Sequence, residues 1–473
     1  MNPIIGLKQR FLRIPPMLDP GIFRAYDIRG IVDENLDASV VRRIGRAFCA
    51  EALSLGHQRV LTGRDGRHSG PTLHQALNEG LAEGGMEVID IGMVPTPVLY
   101  FATHAAETAT GVMVTGSHNP ANYNGLKMVL GGKPLTEDAI KGLHARIEAD
   151  ALTHGSGRIT QQDFTGAYQQ AVLADAQAQG APHVVVDCGN GVAGAVAPSL
   201  LRGLGCRVDE LYCEVDGDFP NHHPDPVEPQ NLTDLIDRVR ATGAACGLAF
   251  DGDGDRLGVV TQSGSIIWPD RLLMLFAQDI IARQPGAEIV FDVKCSRHLG
   301  AVIERLGGRP CMWRTGHSHI KARLRETGAR LGGEFSGHIC FADRWYGFDD
   351  ALYAAARFIE LLSANGNDAD ALFRNCPEGL STPEIKIETR EDAKFQIIEA
   401  LARDADFGDG KRTTIDGVRV DYEDGWGLIR ASNTSPMLTL RFEADEPSAL
   451  ARIQDVFQRQ LAAIDPQLAF PTP

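Results

Sequence analysis

Residues 184–190 read VVVDCGN, an apolar strand that ends in a polar turn containing glycine. The chain continues with a helical segment that stops at Leu204-Gly205 and a second strand at residues 206–208. A strand, a helix of about a dozen residues and a second strand form the parallel βαβ unit. Glycine is the residue expected just past the end of a helix. The segment therefore predicts a parallel α/β sheet.

The same pattern occurs twice more, so it predicts three related α/β domains. One copy begins with RVLTGRD at 59–65 and returns as a strand at 86–90. The other begins with EIVFDVK at 288–294 and returns at 309–313. After each copy comes a further apolar strand that runs into a polar loop, at 112–114, 247–250 and 329–331. Because open α/β sheets bind ligands beyond the carboxyl ends of their strands, we expect the three loops to face one cleft.

The chain from about residue 381 follows a different pattern. Apolar residues alternate with polar ones around 418–422 and 438–442, which predicts an antiparallel sheet, and a polar helix is expected at 391–403. A chain of 473 residues is too long for one core. We expect three mixed α/β domains around a central cleft and a smaller C-terminal α+β domain, at 1–162, 163–265, 266–377 and 378–473.

Composition and charge restrict the possible partners and the compartment. The net charge of −16 disfavours nucleic acid and anionic membrane, which both favour a basic surface. No stretch is apolar enough to span a bilayer, and the N-terminus lacks the apolar core of a secretory signal. The nine cysteines are odd in number and form no CxxC pair, as in a reduced protein. We expect a cytoplasmic enzyme.

The loop after the first copy, residues 115–120, reads TGSHNP and carries one serine. On a turn of small residues, the backbone N–H groups are free to hold the oxygens of a phosphate on Ser117. The serine does not lie in a GxSxG elbow, which disfavours esterase chemistry. Lys127 and Arg29 are nearby candidates for the cations that such a phosphate needs.

The loop after the second copy carries aspartates at three alternate positions: Asp251, Asp253 and Asp255. In an extended loop, alternate carboxylates face the same way and can converge on Mg²⁺. An EF-hand is excluded, because Arg256 and Gln262 stand where that loop needs glycine and glutamate. A serine that carries phosphate and a hard cation that activates it are the two halves of a phosphoryl-transfer site.

Two further loops add polar groups suited to a phosphosugar. Glu334 and Ser336 can bond neighbouring sugar hydroxyls, and His338 is placed to carry a proton. His317 lies in a His-Ser-His pair without a third metal ligand, so we interpret it as a phosphate or sugar contact. The last loop joins a guanidinium to hydroxyl and amide donors, which is an anion cradle, at Arg430, Ser432, Asn433 and Thr434.

Residues 189–194, GNGVAG, form a GxGxxG pattern and support a competing hypothesis. After a strand, this pattern is typical of a dinucleotide site and would indicate an oxidoreductase. Close packing of helix on strand explains the same glycines, and neither of the equivalent units repeats the pattern. We therefore prefer the packing interpretation, which a titration with NAD(H) would test.

From FRAYDIRG at 23–30 to RASNTSP at 430–436, the chain resembles the α-D-phosphohexomutases, and within them the bacterial phosphomannomutase/phosphoglucomutase group. The resemblance implies that Ser117 is the phosphorylated serine and that Ser117, Asp251, Asp253 and Asp255 hold Mg²⁺. It implies Glu334 and Ser336 on the sugar O3 and O4, and the Arg430 loop on the distal phosphate. Other active-site positions of the family match at Tyr26, Arg29, His118, Lys127, Arg256, Lys294, His317 and His338.

The resemblance implies a reversible exchange of hexose 1-phosphate and 6-phosphate, for glucose and mannose. The intermediates of this exchange are phospho-Ser117 and a hexose 1,6-bisphosphate, and the bisphosphate is also the activator. The candidates for the general acid and base are Lys127 and His338. Alternatives are a phosphoglucosamine mutase, which Phe335 disfavours because such enzymes tend to have Gln there, and a sugar phosphatase, should water reach phospho-Ser117. Gly116 stands where the family also carries alanine. We expect a monomer that binds a phosphosugar.

Overall fold

The computed structural model describes residues 18–432 and 435–470, which form four β-sheets with their own helices. The first sheet has seven strands in the order β1-β5-β4-β2-β3-β7, with β6 beside β5. Its strands are β1 (Ile28–Ile31), β2 (Arg59–Arg64), β3 (Glu87–Met93), β4 (Gly111–Val114), β5 (Tyr123–Leu130), β6 (Lys133–Pro134) and β7 (Ile159–Gln161). Its helices are α1 (Ala38–Ser54), α2 (Gly70–Gly84), α3 (Thr96–Ala105) and α4 (Glu137–Glu148).

The second sheet has five strands in the order β12-β11-β10-β8-β9. Its strands are β8 (His183–Asp187), β9 (Arg207–Leu211), β10 (Cys246–Phe250), β11 (Leu257–Thr261) and β12 (Ile266–Ile267). The helices of this region are α5 (Thr165–Asp175), α6 (Ala197–Gly203) and α7 (Thr233–Thr242). The predicted second domain ends at residue 265, so its sheet extends two residues past that boundary.

The third sheet has four strands in the order β14-β13-β15-β16. Its strands are β13 (Glu288–Asp292), β14 (Arg309–Trp313), β15 (Leu331–Gly333) and β16 (Ile339–Phe341). The helices are α8 (Pro269–Arg283), α9 (Arg297–Arg305), α10 (His317–Thr327), α11 (Ala351–Ala364) and α12 (Ala369–Phe373). β15 begins two residues later than the sequence predicts, because α10 runs to Thr327 and Gly328 (φ 71°) then turns the chain.

The three sheets share one topology, which confirms the predicted repeat. In each, a central strand (β2, β8, β13) lies between two parallel neighbours, β3 and β4, β9 and β10, or β14 and β15. The helices that lead into the second strand end at glycines with left-handed backbone, Gly85 (φ 113°), Gly205 (φ 91°) and Gly307 (φ 81°). Helices cover the central strands, and Val184, Val185 and Val186 are fully buried.

Each polar loop is the turn of a β-hairpin. The strand that follows the loop returns antiparallel to the strand that precedes it, as β5 beside β4, β11 beside β10 and β16 beside β15. This return strand fixes both ends of the loop within the same sheet. Each loop therefore lies where the preceding strand ends, at one edge of its sheet.

The C-terminal sheet has six strands, all antiparallel, as the alternating pattern predicts. Its strands are β17 (Leu380–Ser381), β18 (Ile385–Glu388), β19 (Lys411–Thr413), β20 (Val418–Tyr422), β21 (Gly425–Ala431) and β22 (Met437–Ala444). The expected polar helix is α13 (Lys394–Asp404), and α14 (Pro447–Ile464) packs on β21 and β22 as a second helix. The fold is thus three mixed α/β domains and an α+β domain.

Two buried arginines join the C-terminal sheet to the third domain. Arg419 donates hydrogen bonds to the carbonyl oxygens of Val293 and Cys295, both at 2.7 Å. Arg441 donates to the carbonyl oxygen of Lys294 and lies 3.3 Å from an oxygen of Asp270. The backbone on either side of Lys294 is therefore held from the C-terminal domain.

Close packing accounts for the glycines of the GxGxxG segment. A Cβ on Gly191 would lie 2.9 Å from the Cα of Gly252, and one on Gly194 would lie 2.0 Å from the carbonyl oxygen of Cys213. All nine cysteines are free, and only Cys311 is not buried. Among the residues described, no helix combines the length and apolar character needed to cross a membrane.

Candidate active site

The serine loop, residues 115–122 between β4 and β5, carries a strained and buried serine. Ser117 has a left-handed backbone (φ 50°), which is uncommon outside glycine and is often stored at functional sites. Its backbone N–H donates to Thr115 Oγ1 at 2.8 Å. Its Oγ lies 3.2 Å from Asp251 Oδ2 and 3.3 Å from His118 Nδ1. The serine and the first aspartate of the second domain therefore meet directly.

The three aspartates lie on the metal loop, residues 251–256 between β10 and β11, and each is fully buried. The loop is a tight turn rather than the extended segment that the sequence suggests, because Gly254 (φ 77°) reverses the chain. Asp251 Oδ1 accepts the backbone N–H groups of Gly254, Asp255 and Arg256 at 3.0 to 3.1 Å. The predicted convergence still occurs, with one oxygen of each carboxylate within 4.8 Å of the others.

Lys127 on β5 supplies positive charge to the metal loop. Its Nζ lies 2.7 Å from Asp253 Oδ2 and also bonds Asp255. Against the effect of burial, the aspartates raise the pKa of Lys127 above its ordinary value, so it stays charged. Burial and the neighbouring carboxylates raise the pKa of Asp251 well above its ordinary value. The three carboxylates therefore repel one another in spite of Lys127, and a bound cation would relieve that repulsion.

The donor set fits a divalent cation. Asp253 Oδ1 and Asp255 Oδ1 are buried and accept no hydrogen bond from the described residues, although His338 Nε2 lies 3.4 Å from the latter. Buried carboxylate oxygens without a hydrogen bond are costly, and oxygen ligands of this kind are those that Mg²⁺ prefers. Three carboxylates beside a serine hydroxyl therefore form a candidate metal site.

In the sugar loop, residues 334–338 between β15 and β16, the polar side chains contact one another. Glu334 Oε1 accepts the N–H of Gly316 at 2.6 Å, and its Oε2 lies 3.0 Å from His338 Nδ1. Ser336 Oγ lies 2.9 Å from the same nitrogen. The other ring nitrogen of His338 lies 3.4 Å from Asp255 Oδ1, which joins this loop to the metal loop.

These contacts fix the charges of the sugar loop. Against burial, Asp255 and Glu334 raise the pKa of His338 to about 9. Against burial, His338 lowers the pKa of Glu334 to about 2. The pair is therefore an imidazolium beside a carboxylate. By contrast, burial and then Arg256 and Arg29 lower the pKa of His118 well below its ordinary value, which leaves that ring neutral.

His317 begins α10, as expected for a residue that opens a helix, but it is buried rather than exposed. Its ring stacks on His338 with a centroid distance of 5.1 Å. Its Nδ1 lies 2.8 Å from Asp349 Oδ2, and Lys321 Nζ lies 2.7 Å from the other oxygen of that carboxylate. Burial and Lys321 lower the pKa of His317.

The remaining candidates come from the first and last domains. Tyr26 donates to the carbonyl oxygen of Thr315 at 2.8 Å, and Arg29 lies 2.6 Å from the side chain of Asn119 on the serine loop. Lys294 is paired with Glu384 at 2.8 Å. Arg430 is paired with Asp416 at 3.1 Å, and Ser432 Oγ lies 2.8 Å from Ser435 Oγ. The predicted cradle residues Asn433 and Thr434 lie outside the described residues.

A cleft of about 1020 Å³ brings most of these groups together. Ten of the predicted residues line it: Tyr26, His118, Arg256, Lys294, His317, Glu334, Ser336, His338, Arg430 and Ser432. Ser117, Arg29, Lys127 and the three aspartates are buried and are not part of the lining. Phe335 also lines the cleft, and its ring is held by Trp268 (5.9 Å) and by Arg441 (3.5 Å).

Sequence reasoning missed the charged residues that support the site. Asp65 and Arg67 follow β2 and contact the serine loop, while Asp292 ends β13 and accepts the N–H of Phe335 at 3.2 Å. Glu384 and Asp416 pair with Lys294 and Arg430. One signal was available, since polar residues after the central strand of each repeat lie at the same sheet edge as the three loops.

Family comparisons agree with this architecture. Four phosphoglucomutase/phosphomannomutase family models match in order. Alpha/beta/alpha domain I matches residues 20–154, domain II matches 162–264, domain III matches 268–379 and the C-terminal domain matches 384–460.

Individual proteins match over nearly the whole chain. A phosphomannomutase/phosphoglucomutase of Pseudomonas aeruginosa is 56% identical over 456 residues, 96% of this chain and 98% of that protein. A phosphoglucomutase of Neisseria gonorrhoeae is 50% identical over 454 residues, 95% of this chain and 98% of that protein. The crystal structure of a phosphoglucomutase/phosphomannomutase family protein from Burkholderia thailandensis, 49% identical, superposes with a TM-score of 0.92 over 96% of this chain and 100% of that one. This chain is therefore a member of the phosphoglucomutase/phosphomannomutase family of α-D-phosphohexomutases, as its motifs predict.

Proposed function

We propose that this enzyme is an isomerase, a phosphohexomutase that interconverts the 1-phosphates and 6-phosphates of glucose and mannose. The observation that carries the proposal is the distance of 3.2 Å between Ser117 Oγ and Asp251 Oδ2, which places a nucleophilic oxygen on a candidate metal site. Arg430 lines the same cleft and offers a cation to the second phosphate. The printed names of the Pseudomonas and Neisseria relatives support this substrate pair.

The metal site would hold Mg²⁺ through Ser117, Asp251, Asp253 and Asp255. When bound, the ion would withdraw charge from the phosphoryl group in transfer. Lys127 holds positive charge at the metal loop through Asp253, and Arg29 holds it at the serine loop through Asn119. They therefore help the loop to tolerate the phosphate that the cycle leaves on Ser117.

In the proposed cycle, the bond between phosphorus and Ser117 Oγ breaks as a bond forms between phosphorus and a hydroxyl oxygen of the bound hexose phosphate. The hydroxyl proton passes to a base, and the departing serine oxygen takes up a proton. Lys127 and His338 are held in their protonated forms, which suits them as proton donors. His118 is held neutral with its Nδ1 3.3 Å from Ser117 Oγ, so its ring can hydrogen-bond the serine oxygen.

The product of this step is a hexose 1,6-bisphosphate, the intermediate and activator, which turns around in the cleft and returns its other phosphoryl group to Ser117. Glu334 and Ser336 bind the sugar hydroxyls in both orientations. The remaining contacts serve the non-reacting phosphate and the ring, at Tyr26, Arg256, Lys294, His317, Arg430, Ser432, Asn433 and Thr434. Because the cleft is lined from all four domains of one chain, we propose that a monomer with domains at 1–162, 163–265, 266–377 and 378–473 is sufficient.

The test is conversion of glucose 1-phosphate, mannose 1-phosphate and glucosamine 1-phosphate, with Mg²⁺ and a trace of hexose 1,6-bisphosphate. We expect turnover of the glucose and mannose substrates without release of free phosphate. Ser117→Ala should lower kcat by at least about 10³-fold, because the covalent step is lost.

Other outcomes would contradict parts of the proposal. Release of free phosphate would indicate a sugar phosphatase, and turnover of glucosamine 1-phosphate alone would indicate a phosphoglucosamine mutase. Full activity of Ser117→Ala would overturn the serine mechanism.

A further inference from the structure

Arg67 follows β2 and fills the inside of the serine loop. Its side chain has no exposed surface, and its guanidinium donates to four backbone carbonyl oxygens of the loop and the first residue after it. These are Ser117 at 2.8 Å, Asn119 at 2.6 Å, Pro120 at 2.5 Å and Tyr123 at 3.0 Å. The carbonyl groups of the loop therefore surround the buried guanidinium of Arg67.

This arrangement fixes the direction of the loop's peptide groups. In a trans peptide, the carbonyl and the next N–H point in opposite directions. With the Ser117 carbonyl turned toward Arg67, the N–H of His118 points away from the guanidinium. A planar guanidinium presents its donors in a rigid fork, which a lysine ammonium cannot reproduce.

Asp65 holds the other side of the loop. Its Oδ2 accepts hydrogen bonds from the hydroxyl of Thr115 at 2.7 Å and from the N–H of Gly116 at 3.1 Å. The same oxygen lies 3.3 Å from Arg67 Nε. Thr115 Oγ1 in turn accepts the N–H of Ser117. We name Asp65 and Arg67 the serine-loop clamp. These bonds hold Ser117 in its left-handed backbone conformation.

The clamp also touches the second domain. Arg67 lies over the ring of Phe219 at 5.0 Å from its centroid. The carbonyl oxygen of Ser117 that Arg67 binds also packs on Gly252 of the metal loop, where a Cβ would lie only 2.3 Å away. The serine backbone is thus fixed between Arg67 and the metal loop, next to Asp251.

We propose that the serine-loop clamp is a positioning device for phosphoryl transfer, in which Arg67 holds Ser117 Oγ in register with the metal loop. The proposal rests on the proposed function and adds two positioning residues to it. The clamp does not touch the reacting atoms. Its loss should lower the rate of transfer more than it lowers affinity for the hexose phosphate, because placement of the serine limits the chemical step.

The test compares Arg67→Lys with Arg357→Lys. Arg357 is a matched control, with a side chain only 1% exposed, stacked on Phe341 at 4.6 Å and paired with Asp343 and Asp279 outside the cleft lining. For folded Arg67→Lys we expect kcat to fall about 100-fold and KM to change less than about threefold. Hydrogen–deuterium exchange of residues 115–123 should be faster in this variant. Arg357→Lys should keep kcat and the exchange of that segment.

Three results would overturn the proposal: unchanged exchange of residues 115–123 in Arg67→Lys, a kcat within about threefold of wild type, or an equal loss of kcat in Arg357→Lys. Should Arg67→Lys not fold, Thr115→Val is the variant that tests the proposal. It removes one hydroxyl beside Asp65, and we expect kcat to fall about tenfold with faster loop exchange. A Thr115→Val variant with the kcat and loop exchange of the wild type would overturn the proposed role of the clamp. Absence of mutase turnover in the wild-type enzyme would instead contradict the proposed function. In that case, hydrogen–deuterium exchange of residues 115–123 would still test whether Arg67 holds the serine loop.

Discussion

At the scale of single residues, Gly116 lacks a side chain because Arg67 occupies its place. A Cβ on Gly116 would lie 2.3 Å from Cζ and Nε of Arg67. The resemblance to the family implies that alanine also occurs at this position, so the sequence suggests that Gly116 can be replaced by alanine. The structure of this chain predicts the opposite, since a rigid guanidinium held by four carbonyls cannot easily give way.

We therefore expect Gly116→Ala to lower the free energy of unfolding by about 1 to 3 kcal/mol, measured by urea denaturation. The matched control is Gly142→Ala in α4, where a Cβ would meet no atom within 4 Å. That substitution should be neutral or stabilise by about 0.5 to 1 kcal/mol, because alanine favours a helix. Equal stability of Gly116→Ala and wild type would refute the predicted collision.

His338 supplies a pH-dependent part of the stability. Its pKa is raised to about 9 from an ordinary 6.5, despite burial, by Asp255 and Glu334. The folded state thus binds a proton that the unfolded state has lost, so this contribution is complete below pH 6.5 and disappears as pH rises through 9. We expect the metal-free enzyme to lose up to about 3 kcal/mol of unfolding free energy across that window.

The measurement is urea denaturation from pH 6 to 9.5 with a chelator present. His338→Gln should have a flatter profile, because glutamine keeps a polar side chain but does not titrate there. A profile for His338→Gln that matches wild type across the window would show that another group is responsible.

At the scale of elements, α3 of the first domain holds the metal loop of the second. Thr96, fully buried at the start of α3, donates its hydroxyl to Asp253 Oδ2 at 2.5 Å and its N–H to the carbonyl oxygen of Asp253 at 2.9 Å. Groups that orient metal ligands in this way typically change affinity by about 10- to 100-fold.

We expect Thr96→Val to weaken Mg²⁺ binding about tenfold, measured by calorimetric titration, because valine keeps the shape but loses the hydroxyl. Thr103→Val is the control in the same helix, since Thr103 is also buried and donates only within the helix, to Tyr100. It should leave Mg²⁺ affinity unchanged. An equal effect of both substitutions would assign the change to α3 packing.

The elements themselves were largely predictable. Apolar runs such as 184–186 and glycines at helix ends identify the repeat, because parallel strands are buried on both faces and helices need a left-handed stop. The hairpin form of the polar loops was not predictable, because strand pairing depends on tertiary contacts. The turn of the metal loop was missed for a related reason: alternation suggests an extended segment, whereas Asp251 closes the turn with its own carboxylate.

At the scale of the whole molecule, one contact joins residues of the second and fourth domains that both line the cleft. Lys386 Nζ on β18 lies 3.5 Å from Glu228 Oε1, and both side chains are about half exposed and line the cleft. A solvent-exposed pair of this kind contributes at most about 1 kcal/mol. It can therefore bias the cleft toward closure without locking it.

We expect Lys386→Glu to raise KM for glucose 1-phosphate about threefold and to enlarge the radius of gyration in X-ray scattering, because two carboxylates would then face each other. The double variant Glu228→Lys with Lys386→Glu keeps the net charge and should restore both quantities. Failure of the double variant to recover would mean that Lys386 acts on the phosphosugar directly rather than through Glu228.

The sequence identifies the loops that meet in the cleft but not the charges that support them. Ser117, the aspartates and Glu334 lie in distinctive motifs, and ten predicted residues line the cleft. Glu384, Asp416 and Lys321 come from segments without any motif, and none of their ion-pair partners is a near neighbour in sequence. Such pairs become visible only when the arrangement of the domains is known.

The two arginines that hold the backbone around Lys294 affect the order in which the enzyme folds during its synthesis. Arg419 and Arg441 belong to the last part of the chain, yet they bond the carbonyls of Val293, Lys294 and Cys295. Domains generally fold from the N-terminus as the ribosome delivers them. A nascent chain can therefore form the serine and metal loops long before the Lys294 segment is secured. The cleft is completed only near the end of translation, so an unfinished chain displays its serine and metal loops before the Lys294 wall of the cleft is in place.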